Sequence, residues 1–285
     1  MKTILFPTDF SDAANHAFVY ALQLAYALEA KIVTMHAYEL PDLRRANLSR
    51  MLAEVYESIN LEEFEDYRDS IPVLHEIAEE YGLSSVELQH VLTQGQTTKA
   101  IYRQAVKEEA DLIVLGTTGA TGLKEIFLGS VAGEVMEKAP CPVLAVPASA
   151  VFDGNLDKLA FATDYNREDP NAIKWLEGMA KQIGARIEVV HVDLGPNGTL
   201  NTKMSDLASK VTNDDDILDF SVVEGFIFEE ALTNYLGAEK IDILATLIHK
   251  RNKLQEFFSY SLTKKLAYHL TTPILSMPAK VFKAE

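Results

Sequence analysis

The chain has a single cysteine, Cys141, in 285 residues. That excludes an internal disulfide and fits a reducing compartment. Beside an apolar run, this thiol reads as packed rather than redox-active. No stretch of 18 or more apolar residues occurs, so no membrane span is expected. The N-terminus enters a strand-like run at once, with no leader-like segment. Cytoplasmic placement is therefore expected. Basic residues are few: 26 Lys and Arg face 42 Asp and Glu, for a net charge of −16. Nucleic-acid binding needs clustered Lys and Arg, so that class is disfavoured. The acid is spread over helix-like stretches such as Glu54 to Asp66 and reads as solvated surface. The seven histidines form neither H-x-x-x-H nor H-E-x-x-H. No Ser-His-Asp or Cys-His set can be assembled from motifs, and no catalytic residue is assigned. A Walker loop and a G-x-G-x-x-G turn are both missing.

What is present is concentrated between Asp111 and Ser130. The run Asp111-Leu-Ile-Val-Leu115 reads as a buried parallel strand. It leads into Gly116-Thr-Thr-Gly119-Ala-Thr-Gly122-Leu-Lys-Glu-Ile-Phe-Leu-Gly129-Ser130, and a helix is expected over 130–138. Glycines here permit close approach to the backbone. A serine-led helix start offers unpaired N–H groups and the positive dipole end to an anion. By its glycines alone the segment is either a phosphate cradle or a structural loop.

The spacing Gly-x2-Gly-x9-Gly-Ser resembles the ATP-binding signature of the universal stress protein family, at Gly116, Gly119, Gly129 and Ser130. The chain also opens Ile4-Leu-Phe-Pro7-Thr8-Asp9-Phe-Ser11, similar to that family's first strand and Pro-Thr-Asp turn. His36-Ala37 closes the second apolar run, and Pro142-Val-Leu-Ala-Val146 resembles the last strand. The resemblance spans the whole first half.

The second half repeats the first. Leu159-Ala-Phe-Ala-Thr163-Asp164-Tyr165 mirrors Ile4 to Phe10 at an offset of 155, and from Asp111/Asp242 to Ala148/Ala279 the offset is a gap-free 131. A repeat of this length is a domain rather than a solenoid unit. We expect domains at 1–147 and 157–285, joined by a short linker. In the first, strands are expected at 2–7, 31–37, 86–92, 111–115 and 142–146. Helices are expected at 12–29, with Ser11 as N-cap, and at 97–108, with one or two more over 41–81. The second half is trimmed between His191 and Gly225, with a short helix near 203–212.

Alternating βα units predict an α/β fold, doubly wound around parallel sheets. The resemblance implies two five-stranded domains of order 3-2-1-4-5, in the adenine nucleotide alpha-hydrolase-like group. Strands 1 and 4 then flank the switch point, where ligands of such sheets bind. Pro7, Thr8 and Asp9 would meet Leu115 and Gly116 there.

By resemblance, the ligand is an adenine nucleotide, ATP or else AMP or ADP, with Mg2+ or Mn2+ offsetting the acidic field. Asp9 would accept from adenine or ribose, or else cap the following helix. Ala37, just past strand 2, would offer backbone groups to the base, and Leu115 would pack on it. Gly116, Gly119, Gly129, Ser130 and the Val131 N–H would hold phosphates. Lys124 is either a phosphate contact or exposed. In the second half Leu247, Lys250 and Tyr260 replace the three glycines, while Ser261 keeps its counterpart. One nucleotide per chain is therefore expected. Because Leu247 is tolerated there, Gly116→Val is expected to spare folding. Lys250, Arg251 and Lys253 are either solvated or receive an anion. His36 and His191 end equivalent strands and read as packing residues with backbone hydrogen bonds.

The resemblance also implies that the halves pair through their last strands, Pro142–Val146 and Pro273–Met277, as a pseudo-dimer, with a homodimer of whole chains possible. The leading expectation is a non-enzymatic, ATP-binding stress-response protein. The alternatives are a slow ATPase, a nucleotide-activating enzyme or a ligand-free scaffold. Glu125 is the only carboxylate in the loop, so fast phosphoryl transfer is not implied.

Overall fold

The computed structural model describes residues 1–40, 52–117, 130–195, 200–211, 217–249 and 271–283. The first half contains β1 (Thr3–Pro7), α1 (Asp12–Ala27), β2 (Lys31–Tyr38), α2 (Leu52–Glu80) and β3 (Leu88–Gln94). It continues with α3 (Thr97–Lys107), β4 (Leu112–Gly116), α4 (Ser130–Lys138) and β5 (Val143–Val146). The second half contains β6 (Lys158–Ala162), α5 (Asp169–Ile183), β7 (Arg186–Asp193), α6 (Leu200–Val211) and β8 (Leu218–Glu224). It ends with α7 (Phe228–Glu239), β9 (Ile243–Ile248) and β10 (Ile274–Pro278). The expected helix near 203–212 is α6, at a little over a third of the length of α2.

The strands form one sheet of order β3-β2-β1-β4-β5-β10-β9-β6-β7-β8. Each half is a five-stranded unit of order 3-2-1-4-5, parallel throughout. The second follows the same pattern. At the middle of the sheet, β5 and β10 run antiparallel, with Ile274 opposite Ala145 and Ser276 opposite Val143. The Ser276 hydroxyl donates to the Val143 carbonyl across this junction.

Central strands such as β1, β4 and β9 are buried along almost their whole length because helices cover both faces. One apolar layer packs α1, α2, α5 and α6 against the sheet, around Phe6, Phe18, Leu74, Phe161 and Leu176. The other packs α3, α4 and α7, around Ile101, Val135, Leu232 and Leu244. Each layer runs from the first half into the second without a break.

The repeat also shows in polar details. The Asp111 carboxylate accepts from the backbone N–H groups of Lys2 and Thr3, at 2.7 and 3.2 Å. Its counterpart Asp242 accepts from Asp157 and Lys158, both at 2.8 Å. An acid before strand 4 thus satisfies the donors that open strand 1 in both halves. Cys141 is buried, and burial pushes its thiol up to about 12, so thiolate chemistry is suppressed. Among the described residues, no helix is long and apolar enough to cross a membrane.

Candidate functional site

The site begins where β1 stops. The Thr8 N–H still reaches the Met35 carbonyl of β2 at 2.8 Å, so Thr8 extends the ladder. Its hydroxyl then accepts from the Phe10 N–H at 2.9 Å, and Phe10 turns into the left-handed region with φ 57°. This tight turn carries Asp9 outward, and its side chain is exposed. One Asp9 oxygen accepts from the Ser11 N–H at 3.1 Å and from the Ser11 hydroxyl at 2.6 Å. Ser11 in turn caps α1 by accepting from the Ala14 N–H at 3.2 Å. Asp9 therefore supports the cap, and it stands at the surface of the carboxyl edge.

His36 holds this turn from the side. Its Nδ1–H donates to the Thr8 carbonyl at 2.8 Å. Its ring stacks on Tyr67, at 6.2 Å and 23°, and Phe10 lies 5.8 Å from each of those rings. Tyr67 is only 5% exposed. Sequence reading did not single it out, because it comes from the middle of α2, far from any motif.

Ala37 does not lie just past strand 2 as expected. It sits inside β2, opposite Thr93, because that strand continues to Tyr38. Leu115 is buried under the α3 and α4 layer. The β1–β4 register, with Leu5 opposite Ile113, brings Pro7 and Gly116 to the same edge. Ser130 and Val131 form the first turn of α4, and both are exposed. Gly119, Lys124, Glu125 and Gly129 lie outside the described residues, as do Lys250, Arg251, Lys253, Tyr260 and Ser261.

Gly116 carries a correction. A Cβ there would stand 3.0 Å from the Ala13 carbonyl oxygen and 3.5 Å from the Ala14 nitrogen. The first turn of α1 crowds this position, so a side chain there requires α1 to give by a few tenths of an ångström, against the expectation that Gly116→Val spares folding.

The second half keeps the turn and fills the surroundings. Thr163 reaches Val190, Tyr165 is left-handed with φ 59°, and His191 Nδ1–H donates to the Thr163 carbonyl at 2.9 Å. At the position of Gly116 stands Leu247, 2% exposed. At the position of Ala14 stands Asp169, 1% exposed. Asp169 accepts from the Thr163 hydroxyl and the Asn166 N–H on the same oxygen. Burial raises its carboxyl to about 6 despite those bonds, and the nearby Asp164 and Glu168 charges add to the rise. Lys203 of α6 lies 5.7 Å from the centre of the Tyr165 ring. The second half thus carries larger side chains where the first half has glycine and alanine.

The sequence model of the universal stress protein family matches residues 1–147. The chain belongs to the universal stress protein family. A universal stress protein of Methanocaldococcus jannaschii is 32% identical over 148 residues, covering 51% of this chain and 81% of that protein. One from Thermus aquaticus is 38% identical over 146 residues, covering 51% of this chain and 98% of that protein. Over the full length, the chain is similar in fold to a universal stress protein from Archaeoglobus fulgidus. The TM-score is 0.70 at 16% identity, covering 97% of this chain and 98% of that one. The family match thus falls on the half that carries the glycine signature, while the fold likeness extends over both.

Proposed function

We propose that this chain is a regulatory protein that binds one adenine nucleotide, ATP or its AMP or ADP forms, in the half spanning 1–147. Asp9, at the exposed edge, would take the sugar or base, with the Ala37 backbone and Leu115 beside it. The Ser130 hydroxyl and N–H, the Val131 N–H, and the glycines 116, 119 and 129 would take the phosphates. Mg2+ or Mn2+ would lower the repulsion from the acidic chain. The single observation that carries this reading is convergence. The Pro7–Asp9 turn and the end of β4, about a hundred residues apart in sequence, share one edge at the switch point of the sheet. The exposed serine-led start of α4 supplies the chemistry an anion needs.

The half spanning 157–285 would act as a built-in partner. The β5–β10 junction supports this role, and Lys250 and Tyr260 in place of loop glycines support its lack of a nucleotide. Calorimetry with ATP and Mg2+ tests the reading. A ratio near one nucleotide per chain supports it. A ratio near two sinks the asymmetry, and no binding leaves the scaffold alternative. Sustained turnover near 10 per second would make the chain an enzyme instead.

A further inference from the structure

Helix α2 meets the edge strand β3 through two histidines that the nucleotide reading does not use. Nε2 of His75 lies 3.1 Å from Nε2 of His90. Their ring centres are 5.2 Å apart at 68°. His90 Nδ1 is 2.7 Å from the Thr34 hydroxyl, and that hydroxyl donates to the Gln89 carbonyl at 3.2 Å. With the Thr34 proton on the Gln89 carbonyl, the hydroxyl accepts from His90 Nδ1–H. The His90 tautomer follows: its Nε2 carries a lone pair aimed at His75. His75 sits on the exposed face of α2.

We propose that His75 and His90 form a binding site for one divalent transition ion of the imidazole-preferring class, such as Zn2+, Cu2+ or Ni2+. Nitrogens bound to zinc at about 2.0–2.1 Å stand about 2.9 Å apart at a right angle and about 3.4 Å apart at a tetrahedral one. The observed separation falls between those limits. The rings now meet nearly end to end, as a hydrogen bond between the two nitrogens requires, so binding an ion means breaking that bond and swinging His75 until its lone pair meets the His90 lone pair at the metal. The His75 proton moves to its solvent-facing Nδ1, so both imidazoles stay neutral. Thr34 acts as the outer partner that orients a ligating histidine. Glu76, Glu79 and Glu80 are exposed on the same stretch of α2 and favour a cation. Among the described residues, no group of three or more His, Cys, Asp or Glu converges as a metal set. Water therefore completes the coordination, and the ion is exchangeable rather than structural.

The test is calorimetric and thermal titration of the full chain with ZnCl2, and separately with MgCl2, without nucleotide. One Zn2+ per chain and a rise in melting temperature with Zn2+ but not Mg2+ are expected. His75→Ala and the milder His75→Gln, both at an exposed position, should abolish the rise while circular dichroism stays native. Thr34→Val should weaken zinc binding about tenfold, the scale of losing an orienting partner. Zinc binding that is unchanged in both His75 variants overturns the site. So does a pair whose replacement lowers the melting temperature equally with and without zinc, since it would then be only a hydrogen bond.

Discussion

The carbonyl oxygen of Ala13 would stand 3.0 Å from a Cβ on Gly116, because the first turn of α1 crosses directly over the end of β4. The second half carries Leu247 there because α5 makes no comparably close approach to β9.

Gly116→Val should therefore destabilise the protein by about 1–3 kcal/mol, the usual scale of forced overpacking. Urea denaturation against the parent measures it. A variant as stable as the parent would show that α1 can withdraw without loss. Lost nucleotide affinity in this variant is uninformative unless folding is measured alongside.

Ser130 offers a cleaner probe of the phosphate cradle, since its side chain is exposed on the first turn of α4. Ser130→Ala should leave the melting temperature nearly unchanged. It should weaken ATP by about 1 kcal/mol, or roughly fivefold, if one hydrogen bond is lost. Equal affinities for variant and parent would remove the hydroxyl from the site.

Asp9 has two roles to separate. Asp9→Ala removes the acceptor for Ser11 and should cost helix stability as well as about 1–3 kcal/mol of nucleotide affinity. Asp9→Asn keeps an oxygen for Ser11 and should restore most of the stability. If the Asn variant also restores full affinity, charge on Asp9 is not part of recognition.

Asp169 gives the chain a pH-dependent term. Its carboxyl is raised from 3.8 to about 6 in the folded state, chiefly by burial. Its stabilising contribution is therefore complete below pH about 3.8 and is lost as pH rises through about 6. The two values set the loss at about 3 kcal/mol as an upper scale. Both hydrogen bonds converge on one oxygen, so an amide can accept them in its place. Asp169→Asn should be close to the parent in stability near pH 4 and more stable by about 2–3 kcal/mol at pH 7.5. Denaturation at the two pH values checks this, and an Asn variant weaker at both would refute the sign.

Much of the architecture was legible from sequence. Strand and helix alternation and the Ser11 cap rest on local rules, the repeat on comparison of the two halves, and the Pro7-Thr8-Asp9 turn on the family resemblance. Propensity, capping and apolar period act between residues near each other in the chain. The glycine spacing pointed to the carboxyl edge of β4, and strand order then set Pro7 beside Gly116. Only the tertiary structure decided what each residue faces. Gly116 meets the backbone of α1 about a hundred residues upstream. Tyr67 joins His36 through a long helix with no motif, and Ala37 stays within β2 because β3 pairs as far as Gln94. Asp169 is an ordinary acid in sequence and becomes a raised carboxyl only by being buried. His75 and His90 become a pair only because α2 lies against the sheet edge. Contact and desolvation depend on what packs across space, and that is not written in local order.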